Sequence, residues 1–286
     1  MEPSVLAMKN ITIPSTNLIT SHMGFGTSSL HHLLKAVDRQ LLLHSALDYG
    51  FTYFDTSRFY GNGMAEREIG KLISKGLRQE ITLASKIGIP ANAILEYFPS
   101  LMYMQRGVRI IKQKIGWEVK ALIRGRSLSQ IEVSKSLNLS LKTLNTDWLD
   151  ILYIHDPRAE DIPALLKLAD WLLAQKRSGS VRYIGLSGSA VNCMAIRKAI
   201  PNLFDVFQIE DSIEGCEADE LLRLGLPLQV TYGYLRLMNK KFNPSYVEPN
   251  THLAVIKNAL IRNGKGVVLT STRKISHLKD LAKLAE

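Results

Sequence analysis

Eight short apolar runs, each followed by a stretch with helical spacing, constrain this chain more than any other feature. The runs are Met23–Gly26, Thr52–Asp55, Ile81–Lys86, Leu149–His155, Arg182–Ser187, Asp205–Glu210, Leu228–Tyr232 and Gly266–Ser271. Helical patterns cover Asp38–Tyr49, Ala65–Leu77, Leu128–Leu144, Pro163–Arg177, Val191–Ala199, Glu217–Leu224 and His252–Arg262, with a short eighth at Ser276–Ala285. In the first of them Leu41, Leu42, Ser45, Ala46 and Tyr49 recur at three- and four-residue spacing. Short apolar strands suit a parallel sheet covered on both faces. Eight β/α alternations without a topological break predict an α/β fold of the (β/α)8 TIM-barrel type. The competing fold, a doubly wound sheet, would usually have fewer strands and a phosphate loop after the first. "GFGTSS" at Gly24–Ser29 has serine where a dinucleotide fingerprint needs its third glycine. A strand-end turn explains it better.

Composition agrees with one barrel domain over residues 1–286. Hydrophobic residues make up 46%, enough for a large core, and 22% charged residues argue against disorder. Cys193 and Cys216 are the only cysteines, so neither a disulfide framework nor a zinc-ligand spacing exists. A cytoplasmic location and no bound metal are expected. The N-terminus has no apolar signal region, and no apolar run approaches a membrane span.

One region breaks the rhythm. Residues 87–127 form an enlarged loop after the third strand, and loops of that length are often functional. Val108, Ile111, Ile115, Val119 and Leu122 are spaced by three or four, with Arg109, Lys112, Lys120 and Arg124 between them. This is a basic amphipathic helix pattern. From Ser100 to Lys142, nine Lys/Arg face only Glu118 and Glu132, so most of the net charge of +10 lies there. A nucleic-acid footprint over the whole protein is therefore not indicated. Three readings stay open for the insertion: a solvated helix on the barrel mouth, a lid over an anionic substrate, or a surface for a partner or membrane.

In such a barrel the active site lies at the C-terminal ends of the strands. Asp55 ends the second run and Tyr60 follows in its loop; Lys86 ends the third and His155 the fourth. Singly each has an ordinary explanation, such as a turn cap for Asp55. Together they form an acid–base device. A lysine ammonium beside the tyrosine is expected to lower its pKa, an aspartate to hold that lysine, and a histidine to orient a carbonyl. The product would be a general acid that protonates a carbonyl oxygen as hydride reaches its carbon.

At these residues the chain resembles the aldo-keto reductase family. "FDTSRFYGNGMAEREIGKLI" (Phe54–Ile73), "LASK" ending at Lys86 and "LSLKTLNTDWLDILYIHDP" (Leu139–Pro157) match the segments that carry the family's Asp-Tyr-Lys-His tetrad, here Asp55, Tyr60, Lys86 and His155. The resemblance implies NADP(H) as cofactor and a small-molecule carbonyl substrate. It places Gly26 and Thr27 near the cofactor, with Asp55 beside them. Ser187 and Gln208 fall at the carboxamide and Tyr232 on the nicotinamide ring. Gly233 and Leu235 lie at the diphosphate, and Ser271, Thr272 and Arg273, with Lys274 close by, at the adenosine phosphate. Cations in that last segment favour NADPH over NADH. Gly188 replaces a common asparagine, Gly233-Tyr234-Leu235 replaces Ser-Pro-Leu, and Leu281 follows Asp280 where an amide is usual. The implied activity is reduction of an aldehyde or ketone. An NAD(P)+-dependent sugar or alcohol dehydrogenase, or a slow-turnover redox-sensing regulatory subunit, would carry the same tetrad.

Overall fold

The computed structural model describes residues 8–98, 101, 125–241 and 251–286. Ten strands occur among them. The first two, β1 (Asn10–Thr12) and β2 (Ile19–Ser21), form an antiparallel hairpin. The other eight are β3 (Met23–Gly26), β4 (Tyr53–Asp55), β5 (Thr82–Ile87), β6 (Leu149–His155), β7 (Val181–Gly188), β8 (Val206–Glu210), β9 (Val230–Tyr232) and β10 (Val267–Thr270). They pair in parallel, each with the next, and β10 closes on β3, so the sheet is a barrel with no free edge. All eight expected strands are present with ends shifted by no more than two residues. The eight expected helices are present as well, among them Ala36–Asp48, Met64–Ile73, Gln130–Leu144 and Ile275–Leu284. The hairpin, a short helix at Ala93–Tyr97 and a helix at Tyr234–Lys241 were not expected. Most of the basic amphipathic pattern, including Val108–Leu122, lies outside the described residues.

Period-two alternation divides the strand side chains between two cores. Outward residues such as Phe54, Leu83, Leu152, Ile154, Leu186 and Phe207 pack under the helices. Inward residues Tyr53, Ala84, Ile151, Tyr153, Val206, Val230 and Val267 fill the barrel. Two large rings can fit inside only because small residues face them. A Cβ on Gly24 would lie 2.8 Å from the Tyr53 ring, and one on Gly185 would lie 2.5 Å from the Tyr153 ring. The two phenols meet there, Tyr53 Oη to Tyr153 Oη at 3.1 Å.

The hairpin stops the opposite, N-terminal end. Ile11, Ile13 and Leu18 join the interior core, and Gln229 Nε2 donates to the Pro14 carbonyl at 2.8 Å. Burial of these three side chains is worth roughly 1.5–3 kcal/mol each against leaving them exposed. With that end filled, the C-terminal strand ends are the open mouth.

Candidate active site

The same alternation that turns Tyr53 inward turns Asp55 inward two residues later. Lys86 follows Ala84 on β5, His155 follows Tyr153 on β6, and Gln208 follows Val206 on β8. The register sets His155, Ser187 and Gln208 side by side across three strands. Residues far apart in the chain thus converge in one layer, above the Tyr53–Tyr153 pair.

Lys86 and Asp55 form the centre of that layer. Lys86 Nζ donates to Asp55 Oδ1 and Oδ2, both at 2.6 Å, and to the Thr56 carbonyl at 3.0 Å. Both side chains are buried, at 2–3% exposure. Burial pulls the Lys86 ammonium below its ordinary range, and the Asp55 carboxylate opposes that shift. Gln208 Nε2 donates to Asp55 Oδ1 at 3.0 Å. The carboxylate can only accept, so the amide is oriented with its nitrogen toward Asp55. Gln208 Oε1 is then left buried with no hydrogen-bond partner among the described residues. A buried acceptor without a donor is costly, and it fits an amide N–H arriving with a ligand.

Tyr60 is half-buried in the turn after β4, and Lys86 Nζ lies 4.9 Å from the centre of its ring. The expectation that the ammonium lowers the phenol pKa is not met. Burial, then the Asp55 carboxylate, pushes the phenol above its ordinary value. The lysine charge is committed to Asp55, so it reaches Tyr60 largely cancelled. The phenol is protonated at neutral pH.

His155 packs edge-on against Tyr60, with ring centres 5.7 Å apart at 86°, and against Phe59 at 6.0 Å. Burial, with Lys86 adding to it, pulls the imidazole down to about 3. The ring is therefore neutral at physiological pH. Ser57 Oγ stands 3.4 Å from His155 Nδ1 and accepts from the Phe59 amide at 3.2 Å. A hydroxyl can donate one hydrogen bond and accept two, so Ser57 can partner Nδ1 in either tautomer of the neutral ring. Sequence reasoning missed Ser57 and Phe59. Both lie between Asp55 and Tyr60, and their nearness to His155 depends on a strand about a hundred residues later.

The remaining anticipated positions fall around this layer. Gly26 ends β3, where a Cβ would stand 3.2 Å from the Thr270 carbonyl. Thr27 is buried, and its hydroxyl donates to the Asp55 carbonyl at 2.9 Å. Ser187 is buried beside His155 and Gln208. Tyr232 ends β9, half-buried, and Gly233 follows with φ +99. Leu235 packs on the outer core. Beyond β10, Ser271 Oγ meets Ser29 Oγ at 2.8 Å, Thr272 Oγ1 meets His277 Nδ1 at 3.2 Å, and Arg273 and Lys274 are exposed. Lys274 precedes the helix Ile275–Leu284, and no side chain caps that N-terminus, a place that suits an anion. Among the described residues, no cluster of His, Cys, Asp and Glu could hold a metal ion. No helix among them is long and apolar enough to cross a membrane.

The sequence model described as the Aldo/keto reductase family matches residues 22–210. D-threo-aldose 1-dehydrogenase of a Pseudomonas species is 26% identical over 206 residues, covering 70% of this chain and 60% of its own length. The aldo-keto reductase yakc [NADP(+)] of Schizosaccharomyces pombe is 31% identical over 195 residues, covering 66% of this chain and 46% of its own. The chain thus spans about half the length of these curated relatives. Among solved structures, the holo form of an aldo-keto reductase from Bacillus halodurans matches with a TM-score of 0.69 at 18% identity, covering 98% of this chain and 91% of that one. At that identity the likeness bears on fold alone.

Proposed function

The chain belongs to the aldo/keto reductase family, whose model matches residues 22–210, and from that premise we propose that it is an NADPH-dependent oxidoreductase. It works as one barrel domain and reduces a small aldehyde or ketone to an alcohol. The observation that carries this reading is the buried Lys86–Asp55 pair at 2.6 Å, set between a protonated Tyr60 and a neutral His155 at the barrel mouth.

When bound, the nicotinamide supplies the hydride. The chain's own residues do the rest. Tyr60 holds a proton at its phenol oxygen and donates it to the carbonyl oxygen as negative charge develops there. An alkoxide is a far stronger base than a phenolate, so that transfer runs downhill in spite of the raised phenol pKa. His155, whose neutral ring keeps one N–H, donates a hydrogen bond that orients the carbonyl. Lys86 and Asp55 present a nearly neutral pair beneath the phenol and keep water out of that layer. Ser187 and the unpartnered Gln208 Oε1 would hold the carboxamide, and Tyr232 would stack on the ring. Gly26, Thr27 and the backbone at Gly233 and Leu235 would lie along the diphosphate. Ser271, Thr272 and Arg273 would take the adenosine phosphate, where the exposed cations favour NADPH.

A second reading draws on the relative named D-threo-aldose 1-dehydrogenase: the same site, run in reverse, oxidises a sugar or alcohol with NAD(P)+. The test of both is Tyr60→Phe. Turnover in either direction should fall by about 10²–10⁴-fold, the usual worth of a general acid, while NADPH binding followed by fluorescence stays nearly intact. Ordinary turnover in that variant would sink the assignment.

A further inference from the structure

Arg58 stands two residues before Tyr60, and its guanidinium is buried at 3% exposure. Three elements grip it. Nη1 donates to Glu66 Oε2 and to Thr143 Oγ1, each at 3.3 Å, and Nη2 donates to the Glu96 carboxylate. Glu66 lies on the helix that follows the Tyr60 turn and is itself fully buried; its other oxygen accepts from Ser85 Oγ at 2.7 Å. Thr143 is on the helix Gln130–Leu144. Glu96 is in the opening of the loop after β5.

That opening reaches the Tyr60 turn at further points. Asn62 Oδ1 accepts from the Asn92 amide at 3.0 Å, and Arg67 Nη2 donates to the Glu96 carbonyl at 3.3 Å. Gly63 has φ +83, and a Cβ there would stand 3.3 Å from Glu96 Oε1. On the opposite flank a Cβ on Gly61 would stand 2.6 Å from His31 Cβ. The turn is closely packed on both sides.

Local backbone bonds already close the turn. The Tyr60 amide donates to Ser57 and the Gly63 amide to Arg58, at 3.0 and 2.8 Å. A buried guanidinium shared between two carboxylates adds nothing to that closure. What it adds is orientation of the turn relative to its neighbours, through charge-assisted bonds in a water-poor site.

We propose that Arg58 is a positioning residue for Tyr60, and that Glu96 makes the opening of the loop after β5 part of that positioning. This rests on the reading of Tyr60 as proton donor. Substitutions in that loop would then change turnover as well as substrate binding.

The test uses the full chain with Glu96→Gln, Glu96→Asp and Arg58→Lys. Hydrogen exchange read by mass spectrometry covers residues 57–66, with β6 and β7 as internal controls. Glu96→Gln should speed exchange in 57–66 by about tenfold and leave the controls unchanged. It should also lower kcat on the order of tenfold or more, with NADPH affinity unchanged. Glu96→Asp, which keeps the charge, should recover part of both. Arg58→Lys should follow Glu96→Gln. Unchanged exchange in 57–66, or a uniform rise across the controls with kcat intact, overturns the proposal. Should the wild-type chain reduce no carbonyl while the exchange shift is still confined to 57–66, the functional reading fails and the coupling of Glu96 to the Tyr60 turn stands.

Discussion

Lys86 Nζ lies 2.6 Å from both oxygens of Asp55, and the two side chains are shut inside the barrel. Removing one partner of such a pair leaves the other charged, buried and uncompensated, which typically costs about 3–5 kcal/mol; replacing both is often neutral. Lys86→Met should therefore destabilise the protein by about that amount. Lys86→Met combined with Asp55→Asn should recover most of the loss while remaining inactive. Urea unfolding of the three proteins measures this. A double variant no more stable than the single would show that the pair does not act as a unit.

His155 gives stability a pH dependence of known sign. Its folded pKa is about 3 against about 6.5 for a free imidazole. Above the higher value both states are neutral and the contribution is fully present. As pH falls below it, the unfolded chain takes up a proton that the folded chain refuses, and stability drops by up to about 1.4 kcal/mol per pH unit. His155→Asn lacks this loss. The urea midpoint of the wild type should therefore fall relative to that of the variant between about pH 6.5 and 4.5. Parallel midpoints across that window would mean the ring is not buried neutral.

Tyr60 separates the two reaction directions by pH. Reduction uses the protonated phenol, which burial keeps protonated, so its kcat should stay flat over roughly pH 6–9. Oxidation needs the phenolate, so its rate should climb by about tenfold per pH unit through the neutral range. Steady-state rates in both directions test this. A reduction rate that falls through neutral pH would place the phenol pKa lower than the structure does.

The cations after β10 bear on the choice of cofactor. Arg273 and Lys274 are exposed at the N-terminus of the last helix, free to meet a 2′-phosphate. Arg273→Glu with Lys274→Glu should weaken NADPH by about ten- to a hundredfold and leave NADH within about twofold. Equal weakening of both would remove the argument for NADPH.

Much of this could be read from the chain because strand parity is a local rule. Once Thr52–Asp55, Ile81–Lys86 and Leu149–His155 are taken as strands of one barrel, Asp55, Lys86 and His155 point the same way. The N-terminal hairpin escaped because Ile11, Ile13 and Leu18 are too few and too broken by Pro14–Asn17 to mark a strand pair; their partners lie across the barrel floor. The helix Tyr234–Lys241 begins inside a segment whose family pattern is replaced, and its first turn is held by Tyr234 Oη donating to Asp211 at 2.9 Å, a contact between different strand ends. The Arg58–Glu96 pair joins residues thirty-eight apart, and no spacing rule links a turn to the next loop. The phenol pKa was misjudged for another reason: the sequence shows that a lysine is near, but not that an aspartate has already taken its charge.

The floor formed by Tyr53 and Tyr153 has a consequence for anyone reshaping this barrel. Gly24 and Gly185 admit the two rings, and the rings close the space directly under Lys86 and Asp55. Rings screen a charge far less than water does, so on top of burial the field of the Asp55 carboxylate reaches both ways, raising the Tyr53 and Tyr153 phenols below as well as Tyr60 above. Deepening the pocket by trimming either ring would admit solvent beneath the charges and damp that field before any substrate contact had changed. Redesign for bulkier carbonyls should therefore work outward from Phe59 and the loop after β5, and leave the floor intact.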